Sequence, residues 1–262
     1  MIGAAIVSLV SIGISCSDPA VGVPPADWKL SPFYKKHVDL DGLPIVSSDK
    51  VPDAALVEAW KIGREMLKNL PEARKAMIGL KVRIAIMSKD EQTLDIPEHS
   101  DLQKAFPETD WNKRARGLGA TRQRPAISAG EENLLQYRED RYRGESIFIH
   151  EFAHAIFDMG IAEVDKEARR KLRETFENAK AKGRWEKTYA MTNPSEYWAE
   201  GVQSYFDCNR TADPPNGVHN HVGNRDQLKS YDPELYDLIE LYFKTGWRWT
   251  RQTSKLEEKI QH

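Results

Sequence analysis

Cysteine is close to absent from this chain: Cys16 and Cys208 are the only two among 262 residues. Cys16 ends a leader-like apolar run, so Cys208 would stand alone in the processed chain and no disulfide framework is implied. Long hydrophobic runs are lacking as well. The run from Ile2 to Ser15 falls short of the ~20 residues that a membrane-crossing helix needs. An excess of one charge is also missing, since 38 Lys and Arg face 40 Asp and Glu, for a net charge of −2 and a pI near 6.4. That balance argues against nucleic acid and against a polybasic membrane surface as partners. Repeats and heptads are absent too, which removes solenoids and coiled coils. What is present is a 40% hydrophobic content, enough at this length for one domain or two closely packed lobes.

The chemistry is concentrated in His150-Glu151-Phe152-Ala153-His154. On a helix, positions four apart lie one turn apart on the same face, so both imidazoles can reach one zinc ion. Glu151 then lies beside the ion's open position, where the general base of a hydrolase belongs. Ile147, Phe148, Ile149, Ala155, Ile156 and Phe157 make the surrounding helix apolar nearly all round, as a buried helix should be. Gly160 is expected to cap it. The competing reading is two core histidines bonded to backbone carbonyls, with Glu151 in water.

Catalytic zinc takes three protein ligands. The metzincin extension would require Gly and His where Phe157 and Gly160 stand, so the third ligand lies elsewhere. Cys208, His219, His221 and the acids of Asn193-Pro194-Ser195-Glu196-Tyr197-Trp198-Ala199-Glu200 are the candidates. Asn193 is a good N-cap and Pro194 suits the first helical position. Glu196 and Glu200, four apart, then project from one side. Glu196 also fits a capping-box partner, and Glu200 an ordinary solvated helix residue.

An HExxH followed by a helix bearing Glu-x-x-x-Glu is similar to the gluzincin arrangement. More closely, Tyr189-Ala190-Met191-Thr192-Asn193-Pro194-Ser195-Glu196-Tyr197-Trp198-Ala199-Glu200 resembles the pattern of the lethal-factor peptidases, the family of the anthrax toxin catalytic domain. The likeness spans roughly residues 145–206. It implies a zincin-like fold, one zinc ion held by His150, His154 and Glu196, and Glu151 as base. It further implies that Glu200 orients a ligand histidine and that Tyr189 faces the reacting carbonyl. An aromatic that only packs is the other reading of Tyr189.

Along the chain, residues 1–17 read as a signal or lipoprotein signal segment. Ile14-Ser15-Cys16 partly matches a lipobox, with Gly13 where leucine is usual, making Cys16 a candidate lipid anchor. Either form implies a secreted, periplasmic or cell-surface protein; a buried N-terminal helix or strand competes with both. Residues 18–50 read as a connector, 51–246 as a catalytic domain and 247–262 as a tail. Val51 to Leu70 carries a helical stripe through Leu56, Trp60, Gly63, Leu67 and Leu70, and Pro71 follows it. Lys81 to Met87 alternates as a half-buried strand. Residues 89–125 form a functional loop with a solvated basic cluster (Lys113, Arg114, Arg116, Arg122, Arg124) or a site for an acidic partner.

Ala126 to Tyr137 reads as the sheet-edge strand beside the motif helix, where an extended peptide could add. Glu131 and Glu132 would guard that edge. Asp165 to Lys182, with Ala168, Leu172, Phe176 and Ala179 inward, and Asp232 to Gly246, with Leu235, Leu238, Ile239 and Tyr242 inward, read as helices. Asp95, His99 and Asp101 form a candidate second metal site, and Trp247 and Trp249 read as packing residues. The expected class is α+β: a mixed sheet, an active-site helix and a mostly helical C-terminal lobe with the site in the cleft between. The expected activity is zinc-dependent hydrolysis of peptide bonds, with a peptide or protein substrate. Two rivals are a zincin-like module that binds without cleaving, and an amidase acting on cell-wall or other non-protein amides.

Overall fold

Alternating apolar residues in the first half of the chain and helical stripes in the second divide it between a sheet and helices. The computed structural model describes residues 17–250. The leader-like run and Cys16 lie outside them. Strand β1 (Lys36–Leu40) pairs antiparallel with β2 (Leu43–Ser47). Asp41 and Gly42 close the hairpin at φ 48° and 95°, the positive angles of the two-residue turn that Asp-Gly favours. The Asp39 carboxylate accepts from the Gly42 N–H at 2.7 Å. The stretch expected as a connector thus supplies two strands.

β2 runs parallel to β3 (Arg83–Met87), and β3 parallel to β5 (Ala126–Gly130). The short β4 (Gly117–Leu118) pairs antiparallel with β5, giving the order β1-β2-β3-β5-β4. Mid-sheet β3 is buried on both faces beyond Arg83, Ala85 included, rather than half-buried. The edge beside the motif helix is β4, not Ala126–Tyr137. That segment is strand only to Gly130 and then turns into a helical turn, Glu131–Leu134. Glu131 and Glu132 guard no edge. Glu131 accepts from the Lys89 N–H at 3.1 Å, and Glu132 holds the Arg116 guanidinium at 2.7 and 3.0 Å.

Helix α1 (Asp53–Leu67) buries Ala55, Leu56, Ala59, Ile62, Gly63, Met66 and Leu67, a stripe at helical spacing. Pro71 does not merely end it. Proline at the first helical position starts α2 (Pro71–Gly79), a helix the sequence did not announce. The motif helix α3 (Ile147–Ile156) runs on through a π-helical turn, Phe157–Ile161, instead of stopping at Gly160. Gly160 is buried there, and a Cβ on it would lie 3.0 Å from the Ala73 Cβ. It serves the close approach of α2, not a cap.

Helix α4 (Ala168–Ala181) buries Ala168, Leu172, Phe176 and Ala179, the face expected. After it come α5 (Pro194–Tyr205), α6 (Arg225–Tyr231) and α7 (Pro233–Phe243). α7 buries Leu235, Leu238 and Ile239, and Lys244 in the left-handed conformation ends it ahead of Gly246. Arg225 donates to the carbonyls of Tyr205, Thr245 and Trp247, and the Trp249 N–H donates to the Phe206 carbonyl. The start of the expected tail is therefore packed, with Trp249 in the core.

One apolar cluster extends from Val38 to Trp249, running across residues 50 and 246, and Tyr34, Val46, Ala85, Met87 and Ile96 form a smaller one. The class is α+β, a five-stranded mixed sheet followed by a mostly helical half. Among the described residues no helix is long and apolar enough to cross a membrane.

Candidate metal centre and its cleft

Two helix starts bring the candidate residues together. Ser146 caps α3, its hydroxyl accepting from the Ile149 N–H at 3.2 Å, and Asn133 accepts from the Ile147 N–H at 2.7 Å. Phe148, Ile149, Phe152, Ala153, Ala155 and Ile156 turn into the core, which leaves His150, Glu151 and His154 facing a cleft. Each fully buried Phe of that set contributes roughly 1.5–3 kcal/mol to holding the helix down. Asn193 caps α5, accepting from the N–H groups of Ser195 and Glu196 at 2.9 and 3.0 Å. The Trp198 indole donates to the Ala153 carbonyl at 3.0 Å and locks α5 against α3. The Glu196 carboxylate completes no capping box; it turns toward the histidines.

His150 Nε2, His154 Nε2 and Glu196 Oε2 are mutually 3.1, 3.1 and 3.2 Å apart. Among the described residues they are the group whose ligand atoms could hold one metal ion. The opposite ring nitrogens are occupied. Gln203 donates to the Ser146 carbonyl at 3.1 Å, which fixes its Oε1 as the acceptor for His150 Nδ1–H at 2.8 Å. His154 Nδ1 lies 2.9 Å from the Ser195 hydroxyl. With its proton on Nδ1, His150 aims the Nε2 lone pair at a carboxylate and a second imidazole, so acceptor faces acceptor. Such an arrangement is satisfied by a metal ion between the three atoms or by a proton on Nε2.

Ligand atoms bound tetrahedrally to zinc at about 2.0–2.1 Å lie about 3.3 Å apart, close to the spacing here. The residues fit the metal. Without one, the same demand draws a proton. Burial works against charge on His150, but the Glu196 hydrogen bond and the Glu151, Glu200 and Glu196 carboxylates raise it to about 10. Burial also opposes charge on Glu196, yet hydrogen bonds from the two histidines hold its carboxyl well below the usual range.

Glu151 lines the same cleft, a cavity of about 670 Å³, and burial raises its carboxyl while both histidines pull it down. β4 runs directly past it. A Cβ on Gly117 would lie 3.0 Å from Glu151 Cγ, and one on Gly119 would lie 3.0 Å from His154 Cβ. Only glycine lets the edge strand approach so closely. Tyr189 also lines the cleft, its ring centroid 6.4 Å from that of His150. Burial and the neighbouring Glu196 carboxylate raise its phenol.

Glu200 is buried but does not orient His150. Its Oε1 is 3.7 Å from Nδ1, beyond a hydrogen bond, and the side chain accepts from Asn209 at 2.9 Å. Gln203 makes the orienting bond instead. It stands one helical turn beyond Glu200, so helical spacing placed it on the right face, but an amide draws less notice than an acid. The other ligand candidates fall away. Cys208 is buried with its thiol on the Gln203 carbonyl at 3.3 Å. His219 reaches the cleft wall beside Glu145 at 3.5 Å, and His221 packs edge-on against Tyr231.

No second metal site forms from Asp95, His99 and Asp101. Asp95 caps the Gln92 N–H, His99 bonds the Ser128 hydroxyl at 3.1 Å, and Asp101 pairs with Arg124. The basic cluster is not simply solvated either, for Arg116 is drawn inward onto Glu132. Compared with known proteins, the chain matches no family model and no curated protein.

Proposed function

We propose that the chain is a zinc-dependent metallopeptidase of gluzincin type with a zincin-like fold, akin to the lethal-factor peptidases. One observation carries this reading: three atoms able to ligate a metal lie within 3.2 Å of one another in a cleft that also presents Glu151. A purely structural polar cluster would pair its carboxylate with committed donors, whereas here each imidazole donates to Glu196 only with a proton on Nε2, the atom a metal would take.

An extended peptide adds to the free edge of β4, where Gly117 and the following Gly119 bring the backbone against Glu151 and His154. His150, His154 and Glu196 would hold a zinc ion, which would supply Lewis-acid chemistry toward the carbonyl and the water. The Glu151 carboxylate takes the proton from the attacking water and delivers it to the departing amide nitrogen. Its burial-raised affinity for that proton suits both halves of the transfer. The Tyr189 hydroxyl donates a hydrogen bond to the oxygen as negative charge builds on it. Gln203 and Ser195 hold the imidazoles in place throughout.

The test joins metal analysis of the purified protein to cleavage of an unbiased peptide library. About one zinc per chain is expected, with cleavage stopped by a chelator and restored by zinc. Cleavage indifferent to the chelator, or a protein that takes up no zinc, would overturn the proposal.

A further inference from the structure

The basic segment around β4 holds four arginines, two before the strand and two after it, and three are already committed. Arg116 is paired with Glu132, Arg122 with Glu163 and Arg124 with Asp101. Arg114 differs. It is exposed at the end of a single helical turn, Trp111–Arg114, and its guanidinium lies 5.5 Å over the Trp111 ring. Among the described residues no carboxylate pairs with it. It lines the cleft of the candidate metal centre and stands three residues ahead of β4. A second guanidinium shares this rim. Arg141 donates to the Lys113 carbonyl at 3.1 Å and lies 4.7 Å over the ring of Tyr142, itself a cleft residue.

Cleft charge is thus divided by position. Glu151, Glu196, Glu200 and Glu145 lie among the residues around the metal centre, while Arg114 stands where the edge strand begins. We propose that Arg114 forms a subsite for an acidic side chain of the peptide substrate. The proposal rests on the peptidase reading for the substrate being a peptide. An acid in the substrate is repelled by the carboxylates around the centre and held at the rim, which sets how the chain enters along β4.

Two peptide pools test the subsite, identical except that every Asp and Glu of one is Asn or Gln in the other. Equilibrium binding is measured on zinc-loaded Glu151→Gln protein, and cleavage on the zinc-loaded parent. The acidic pool should bind about five-fold tighter at low salt (about 50 mM), the scale of one exposed ion pair, and the gap should narrow at about 500 mM. Arg114→Gln should remove the preference and Arg114→Glu should invert it; the side chain is exposed, so neither disturbs the core. Equal binding of the pools, no binding, or a preference that survives Arg114→Glu overturns the proposal. An acid preference in binding without cleavage by the parent would leave the subsite standing and sink the peptidase reading. Cleavage without preference would do the reverse.

Discussion

Glu196 and Tyr197 sit side by side on α5 and point into two different buried polar clusters. The Tyr197 hydroxyl donates to Asp232 at 2.6 Å, and Asp232 also accepts from the Trp185 indole at 2.8 Å and Arg184 at 3.0 Å. Every lone pair there meets a donor, and the Arg184 charge answers that of the carboxylate. Around Glu196 the balance fails. A carboxylate and two imidazole nitrogens face one another at 3.1–3.2 Å, with Glu151 and Glu200 close behind. One cluster is complete as a piece of protein, whereas the other is balanced only by drawing in a proton or another cation. Since an unsatisfied buried polar group costs about 1–3 kcal/mol, a centre left so unbalanced is evidence for something that binds there.

The widest break in that contrast should come from Glu196→Gln. Glutamine keeps the size and can still bond a backbone N–H, but it is a far poorer zinc ligand. Zinc affinity should fall by more than the roughly 10–100-fold typical of an outer partner, with the circular dichroism spectrum unchanged. Parent-like zinc binding would return Glu196 to a structural role beside Tyr197. Glu151→Gln should follow in size. It leaves all three ligands in place, so zinc stays while turnover drops about 10²–10⁴-fold, the usual contribution of a positioned base. Loss of metal in that variant would mean the roles on α3 are misassigned.

The balanced cluster should respond in stability alone. Asp232→Asn replaces an acceptor with a group that is half donor, leaving Trp185, Tyr197 or Arg184 short of a partner. A loss of about 1–3 kcal/mol is expected, visible as a lowered melting temperature with zinc stoichiometry unchanged. A variant that melts normally but has lost zinc would show that the clusters are not separate.

The contrast also explains what could be read from the sequence. His150, Glu151 and His154 were legible because helical spacing and metal chemistry restrict residue type together, whereas Glu196 was singled out among several candidates only by its resemblance to a family pattern. The Ala168–Phe176 face and the Asn193 cap were legible for the same local reason. β1, β2 and the true edge strand were not. β4 is two residues long, and its Gly117 and the Gly119 just beyond it matter for the side chain they lack, which leaves no apolar pattern to find. The Asp41-Gly42 turn did carry a hairpin signal, in a stretch whose neighbouring prolines suggested a linker. Arg116 resembled its solvated neighbours because its partner, Glu132, is sixteen residues away and joined to it only by the fold.

Gln203 shows the same limit most sharply and gives the finest test. By resemblance Glu200 should orient His150, yet Gln203 Oε1 is 2.8 Å from Nδ1 and Glu200 Oε1 is 3.7 Å. Gln203→Ala should therefore weaken zinc binding about 10–100-fold, and Glu200→Gln by less than that. Gln203 also donates to the Ser146 carbonyl at the start of α3, so alanine there removes two bonds at once. Gln203→Glu separates them. A carboxylate still accepts from His150 Nδ1–H but cannot donate to Ser146, so stability should fall while zinc affinity holds. If Gln203→Glu loses as much zinc affinity as Gln203→Ala, the residue acts through the helix start and not through the imidazole. If Glu200→Gln costs more than Gln203→Ala, the orienting role belongs to Glu200 after all, across a gap that must close when metal binds.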